Sequence, residues 1–158
     1  MFYFIDRTEY YKLYKMYDDS KDCVGIIMID NYEELIQGMI DTDRPQLFAI
    51  VERKLREWFA FAGGIMTSLD RNKYLIIFEK KFIKAFLDSK FEILNDIKEI
   101  TLTNKIPVTL SIGIVVEDET ENEKFKNALA TIDVALGRGG DQAVVRKNGK
   151  YEFFGGNT

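Results

Sequence analysis

The sequence predicts an α+β fold with a ferredoxin-like βαββαβ core, in which helices flank a central antiparallel sheet, with an extra helix at the N-terminus and a hairpin at the C-terminus. Short apolar runs rich in β-branched residues alternate with stretches of helical periodicity in the order β-α-α-β-β-α-β-α-β. Tight polar turns join two pairs of neighbouring runs, as in antiparallel hairpins. The 158 residues suffice to bury one full core.

Composition excludes several kinds of site. The chain has no histidine and a single cysteine, Cys23, so histidine-based triads and Cys/His zinc sites are ruled out. Cys23 opens an apolar run, which indicates a buried thiol. The net charge is −4 and no basic block is present, which argues against nucleic acid and against direct membrane contact as partners.

The first half of the chain is expected to hold a helix, a strand and two further helices. Residues 1–21 are predicted to form a linker helix that precedes a domain over 22–158. The apolar residues of that helix at helical spacing are Tyr10, Leu13, Tyr14 and Tyr17. The unbroken run Val24–Ile29 is typical of a strand buried on both faces. A helix follows from Tyr32, and a longer one over 46–62 has Pro45 at its first position.

The second half is expected to begin with two strands, 65–69 and 74–78, joined by a charged turn. A helical stretch over 79–102 and a strand over 108–116 follow. Next come a helix over 124–136, a glycine-rich turn and a terminal hairpin, whose turn is predicted at Asn148-Gly149, a pair that favours left-handed backbone.

Four segments in this order resemble a GGDEF domain, the diguanylate cyclase fold. They are Met28-Ile29-Asp30-Asn31-Tyr32, the turn Asp70 to Tyr74, Ser111-Ile112-Gly113-Ile114, and Ile132-Asp133-Val134-Ala135-Leu136. The resemblance covers Asp22 to Val145, which is most of the chain. It implies a nucleotide-cyclase type of fold.

The positions that hold metal in an active cyclase depart from the pattern. Such an enzyme places two Mg²⁺ ions on carboxylates at the end of the first strand and in the hairpin. Here Met28 stands at the first of these positions and Lys73 at the second. The degenerate signature in the hairpin reads Asp70, Arg71, Asn72, Lys73, Tyr74. A thioether and an ammonium group do not bind Mg²⁺, so the resemblance predicts no metal here.

The recognition positions depart as well. The guanine-reading Asn and Asp of the family fall on Ile36 and Pro45, whose side chains have no hydrogen-bonding group. The inhibitory Arg-x-x-Asp motif falls on Phe61 and Gly64. Diguanylate cyclase activity is therefore expected to be absent.

A further stretch narrows the resemblance. The residues from Ala135 through Gly149 and the ending Phe153-Phe154-Gly155-Gly156 are similar to the degenerate GGDEF domain of GdpP-type cyclic-di-AMP phosphodiesterases. In that family, transmembrane helices and a PAS domain precede this domain. A DHH/DHHA1 module follows it and hydrolyses cyclic-di-AMP with Mn²⁺. The resemblance thus implies a cytoplasmic domain of a cell-membrane protein, with flanking PAS and DHH/DHHA1 partners, and it leaves a homodimer open.

Two functions remain open at this point. One is a non-catalytic module that relays sensor signals to the hydrolase. The other is a nucleotide-binding domain for Mg-ATP with weak ATPase activity, whose candidate residues are Asp30, Asn31, Arg71 and Lys73. Asp30, Asp41 and Asp43 are candidates for holding one Mg²⁺ ion in that case.

Two other motifs favour structural interpretations. The stretch Gly137 to Asp141 has the composition of a phosphate nest, but it follows a helix where a phosphate loop precedes one, which favours a helix C-terminal turn. Ser111 has no histidine to activate it and is interpreted as a strand residue, so no catalytic residue is predicted.

Overall fold

The strand β1 (Asp22–Ile29) lies at the centre of a six-stranded sheet and is almost entirely buried. The computed structural model describes residues 22–100, 106–116 and 120–156, so the predicted linker helix over 1–21 lies outside the described residues. The other strands are β2 (Ile65–Asp70), β3 (Lys73–Glu79), β4 (Leu110–Val115), β5 (Gln142–Lys147) and β6 (Lys150–Gly155). Their order across the sheet is β2-β3-β1-β4-β5-β6.

The first four strands form the predicted ferredoxin-like core. β3 and β4 both pair antiparallel with β1, and β2 pairs antiparallel with β3. The fold prediction is confirmed in this part. The C-terminal hairpin differs in one respect: β5 joins the sheet parallel to β4, because a helix returns the chain between them to the same end of the sheet.

Five helices accompany the sheet in the described residues. They are α1 (Tyr32–Gln37), α2 (Asp43–Phe59), α3 (Ile83–Asp88), α4 (Ile93–Lys98) and α5 (Glu121–Gly137). Short 3₁₀ turns follow α2 and precede α3. No helix in the described ranges combines the length and hydropathy that a bilayer span requires.

The sheet is covered on both faces, and the side chains of β1 alternate between two apolar clusters. Cys23, Ile27 and Ile29 pack in a cluster with buried residues of α2, α3 and α4. Val24 and Ile26 pack with Ala128 and Ile132 of α5. This explains the unbroken apolar run, because each strand face has its own layer of helix to bury against. Burial also raises the pKa of the Cys23 thiol to about 12.

Two helix predictions need correction. α2 begins at Asp43, so Pro45 is the third helical residue rather than the first. Proline is tolerated there because the N–H groups of the first turn lack intrahelical partners in any case. The stretch over 79–102 is also not one helix: it divides into α3 and α4, and Lys90 and Phe91 between them both have φ of +54°. Burial of the Phe91 ring against Phe86 and Phe154 supports this reversal.

Both predicted hairpins are present. Asn148 and Gly149 have φ values of +52° and +75°, the left-handed pair that a two-residue type I′ turn requires. Arg71 and Asn72 form the turn between β2 and β3. The turn between β2 and β3 carries the degenerate signature.

We expect Gly113→Ala to destabilise the domain by about 1–3 kcal/mol. A Cβ at Gly113 would stand 2.8 Å from the backbone nitrogen of Ile132 in α5, so strand and helix would have to separate. Gly137→Ala is the matched control, because a Cβ there meets nothing within 4 Å. Urea unfolding of the two variants measures the difference; equal stabilities would contradict the close packing of α5 on β4.

Candidate functional site

The C-terminal end of β1 brings the predicted site residues together. Met28 pairs in register with Lys73 of β3 on one side and with Ser111 of β4 on the other. The Ile29 N–H donates to the Asn72 carbonyl oxygen at 2.8 Å, which holds the hairpin turn beside the strand end. The two positions that carry metal carboxylates in active cyclases are therefore neighbours here, as the resemblance implies.

The hairpin turn presents positive charge at this end of the sheet. The Arg71 N–H donates to Asp70 Oδ1 at 2.7 Å, which closes the turn and leaves the Arg71 side chain exposed. Lys73 is half-buried. Neither Arg71 nor Lys73 forms an ion pair with another described residue, so both charges are available to a ligand.

Asp30, directly after β1, is a buried carboxylate, only 6% exposed, with three hydrogen-bond donors. Its Oδ2 accepts from the Thr109 hydroxyl at 2.7 Å, and its Oδ1 accepts from the Ser111 hydroxyl at 2.7 Å. Oδ2 also accepts from the Asp141 backbone N–H at 2.9 Å. These bonds compensate the loss of hydration and join β1, the start of β4 and the turn after α5.

The glycine-rich turn after α5 wraps around this carboxylate. α5 ends at Gly137, and the Gly140 N–H donates back to the Ala135 carbonyl, so the turn terminates the helix as predicted. Gly140 has a φ of +73°, and a Cβ there would stand 2.8 Å from Asp30 Oδ2. The N–H group that a phosphate nest would offer to a ligand, that of Asp141, is used by Asp30 instead.

Tyr74, the last residue of the degenerate signature, belongs to the core. Its ring is 4% exposed and its hydroxyl donates to Glu52 Oε1 at 3.3 Å, across to α2. Burial, as the larger cause, and the negative charge of Glu52 together raise the pKa of Tyr74 from its ordinary 10 to about 12. The aromatic end of the signature thus anchors β3 to α2.

This set of groups does not fit a divalent cation. Met28 and Lys73, the residues that the resemblance puts at the carboxylate positions, bear a thioether and an ammonium group, and the oxygens of Asp30 already accept three hydrogen bonds. Asp41 pairs with Arg44 at 3.2 Å instead of approaching Asp30. No group of three acidic or thiol side chains within the described ranges is placed to hold a metal, so Asp30, Asp41 and Asp43 do not converge on one point. Mg²⁺ binding with a nucleotide stays a prediction.

The remaining predicted positions are dispersed. Ile36 lies on α1 and Pro45 in the first turn of α2, while Phe61 lies in the 3₁₀ turn after α2. Asn31 is exposed with a φ of +52°, and its carbonyl oxygen accepts the Leu35 N–H at the start of α1. Nucleotide binding by Asp30, Asn31, Arg71 and Lys73 stays a prediction.

Sequence reasoning missed the partners of Asp30. Thr109 and Ser111 are two residues apart on an extended segment, so their hydroxyls share one face, a signal that was available in the sequence. Asp141 and Lys98, whose side chains form an ion pair at 3.0 Å, are 43 residues apart, and no local pattern connects them.

Asp30→Asn is expected to lower the free energy of unfolding by about 2–4 kcal/mol, because an amide supplies one acceptor oxygen to three donors. Asp41→Asn is the control: its side chain is 89% exposed and its ion pair is worth at most about 1 kcal/mol. Urea unfolding compares the two variants. Similar losses for both would show that the Asp30 bonds do not hold the fold together.

The raised pKa of Tyr74 predicts a loss of stability in alkali. The phenolate forms more readily in the unfolded chain, so the contribution of Tyr74 is complete below pH 10 and is lost as the pH rises through about 12. The stability advantage of the wild type over Tyr74→Phe should therefore shrink across this range, whereas Tyr151→Phe, at an exposed tyrosine, should show no such trend. Unfolding at several pH values measures it, and an advantage that is constant up to pH 12 would contradict it.

Comparison with known proteins identifies the family. The sequence model described as "Cyclic-di-AMP phosphodiesterase GdpP-like, GGDEF domain" matches residues 27–153. The chain is 36% identical over 157 residues to the cyclic-di-AMP phosphodiesterase PdeA of Listeria monocytogenes. The alignment covers 99% of this chain and 24% of that protein. It is 33% identical over 159 residues to the cyclic-di-AMP phosphodiesterase GdpP of Geobacillus thermodenitrificans, again covering 24% of the relative.

A more distant relative is a "membrane protein-large ribosomal subunit bL9 fusion protein" of Onion yellows phytoplasma, 26% identical over 156 residues and matched over 18% of its length. The chain therefore spans about a quarter or less of the length of these relatives.

Solved structures confirm the fold. The GGDEF domain of DgcB from Caulobacter crescentus, solved with c-di-GMP, aligns with a TM-score of 0.71 at 14% identity, covering 90% of this chain and 85% of that one. The FimX GGDEF domain from Pseudomonas aeruginosa aligns with a TM-score of 0.68 at 17% identity, covering 89% and 93%. The family model and the relatives together confirm the resemblance drawn from the sequence: the chain belongs to the GGDEF domains of GdpP-like cyclic-di-AMP phosphodiesterases.

Proposed function

We propose that this chain is a regulatory, non-cyclase domain that relays the state of a sensor domain to a cyclic-di-AMP hydrolase module in a longer, membrane-anchored protein. The observation that carries the proposal is the pairing of Met28 with Lys73 at the end of β1. A thioether opposite an ammonium group replaces two carboxylates, so neither GTP-bound Mg²⁺ ion of a cyclase has a ligand.

The intact scaffold around this pair supports a regulatory role over a loss of all function. β1 packs against helices on both faces, and Asp30 joins three separate segments at the strand end. A body held together in this way transmits displacement from one surface to another instead of deforming locally. The names and lengths of the relatives support a parent with a hydrolase and a membrane segment.

The regulatory proposal predicts that c-di-AMP hydrolysis by the parent depends on this domain. We expect deletion of residues 22–156 to change the rate of hydrolysis, or its response to the sensor, at least about fivefold, the lower end of the usual coupling between sites. Asp30→Asn in the parent should shift it in the same direction, and Asp41→Asn should not. Identical rates and responses in all four proteins would overturn the relay.

The non-cyclase part is tested separately. The 158-residue chain incubated with GTP and Mg²⁺ or Mn²⁺ should form no c-di-GMP above a protein-free blank, with an active diguanylate cyclase as the positive control. Chromatography of the reaction mixture measures the product. Formation of c-di-GMP that is lost on heating the protein would overturn this part of the proposal.

A second candidate function is ATP binding with slow hydrolysis. It is favoured by the positive hairpin turn, because Arg71 and Lys73 lack ion pairs among the described residues and lie beside the strand end. Fixed positive charge of this kind is suited to phosphate oxygens. Asp30 is not available to such a ligand without breaking its three internal bonds.

Thermal unfolding with ATP or GTP, each with and without Mg²⁺, tests this candidate. Ligand at a hundred times its dissociation constant would stabilise the fold by about 2.7 kcal/mol, a shift in melting temperature of about 5–10 °C. The shift should disappear in Lys73→Ala and persist in Lys150→Ala, which removes an exposed charge at the other hairpin. No shift at millimolar nucleotide, or equal loss in both variants, would exclude the candidate.

A further inference from the structure

A cavity of about 400 Å³ opens at the end of the sheet opposite the degenerate hairpin. It lies between the end of α2 and the segment that holds α3 and the turn after it, and Phe86 at its base contacts Phe78 of β3 at a ring distance of 5.1 Å. Phe78 pairs with Cys23, the second residue of β1, whereas the hairpin site lies at the last residues of that strand. The cavity is therefore separate from the site described above.

Aromatic rings form the base and one wall of the cavity. Trp58 contacts Phe86 at a centroid distance of 4.6 Å, and Phe61 contacts the same ring at 5.0 Å. Phe86 is 1% exposed, while Phe61 is 49% exposed. The faces of an aromatic ring carry the negative side of its quadrupole, to which cations are attracted, and Phe61 is the ring with the larger exposed fraction.

Two carboxylates complete the lining. Glu57 and Glu92 both border the cavity, and neither forms an ion pair with another described residue. The Ser89 hydroxyl, also in the lining, donates to the Phe86 carbonyl at 3.1 Å, so its oxygen is left as an acceptor. Among the described residues, no lysine or arginine lines the cavity. The two carboxylates and the lone pairs of the Ser89 hydroxyl thus favour a positively charged ligand.

We propose that this cavity binds an arginine side chain presented by another polypeptide segment. A guanidinium group is planar, so it stacks on an aromatic ring while its N–H groups reach carboxylates on either side. The cavity has room for such a side chain, and the half-exposed Phe61 ring can pack against the segment that carries it. The charge of the cavity and the net charge of −4 both favour a basic partner.

The sequence adds a contrast to this proposal. Phe61 stands where the resemblance places the arginine of the inhibitory motif, a residue suited to anions. An anionic ligand in this cavity would instead face Glu57 and Glu92. The proposed site therefore goes beyond the regulatory function and does not depend on it.

Trp58 is the single tryptophan of the chain, so its fluorescence reports on the cavity directly. We would titrate the 158-residue protein with the capped peptide acetyl-Gly-Arg-Gly-amide and with the same peptide carrying neutral citrulline in place of arginine. A saturable change with the arginine peptide and none with the citrulline peptide at the same concentration is expected. Spermidine, a free cation without a peptide backbone, should bind more weakly than the arginine peptide.

A charge-matched pair of variants decides whether the carboxylates are responsible. Glu57→Gln/Glu92→Gln should weaken the arginine peptide about tenfold, since it removes both ion pairs and leaves the aromatic rings. Glu33→Gln/Glu34→Gln, which removes two exposed charges on α1, should leave its affinity unchanged. The proposal would be overturned if the citrulline peptide gave an equal response or if spermidine bound more tightly than the arginine peptide. Equal affinities in the two double variants, or no saturable fluorescence change with the arginine peptide, would also overturn it.

Discussion

The buried carboxylate of Asp30 is the constraint on which the rest of the domain depends. A negative charge that is removed from water needs hydrogen-bond donors inside the protein. The donors to Asp30 are Thr109, Ser111 and Asp141, which are distant from it along the chain. The same three bonds determine where β4 begins and how the chain leaves α5. Gly140 is needed because any larger residue would meet the carboxylate.

This constraint also explains how the GGDEF fold is kept with Met28 and Lys73 side by side at the end of β1. The register that places Met28 between Lys73 and Ser111 is held at the strand end by Asp30 and by the bond from Ile29 to Asn72. None of these interactions requires a metal. Substituting the metal positions therefore alters the chemistry at the surface of the sheet while its architecture persists, and solved GGDEF domains below 20% identity still superpose on it.

Local sequence signals predicted most of the fold, and tertiary contacts account for what they missed. The strands, the Asn148-Gly149 turn and the long helices α2 and α5 follow from periodicity and turn chemistry. The break between α3 and α4 was missed because Phe91 packs against the rings of Phe86 and Phe154 in the folded chain. The parallel pairing of β4 and β5 was missed because it depends on how the helix between them crosses the sheet.

The candidate site shows the same division. The resemblance singled out Met28 and Lys73, since both lie in recognisable segments, and the structure adds that they pair in register. The hydrogen bonds that Asp30 accepts were not predicted, because their donors come from the β4 segment and from the turn after α5. The cavity beside Trp58 was also missed, since residues of α2 and of the turn after α3 enclose it only in the folded chain.

Hydrogen exchange of backbone amides with and without Mg²⁺ tests most directly the claim that internal hydrogen bonds replace a metal at the end of β1. The amides of residues 28–32, 72–74 and 140–142 should be equally protected in Mg²⁺ and in chelator, because protein groups alone supply the contacts there. A gain in protection confined to residues 28–32 and 72–74 on addition of Mg²⁺ would contradict it and would show that a cation still binds at this strand end.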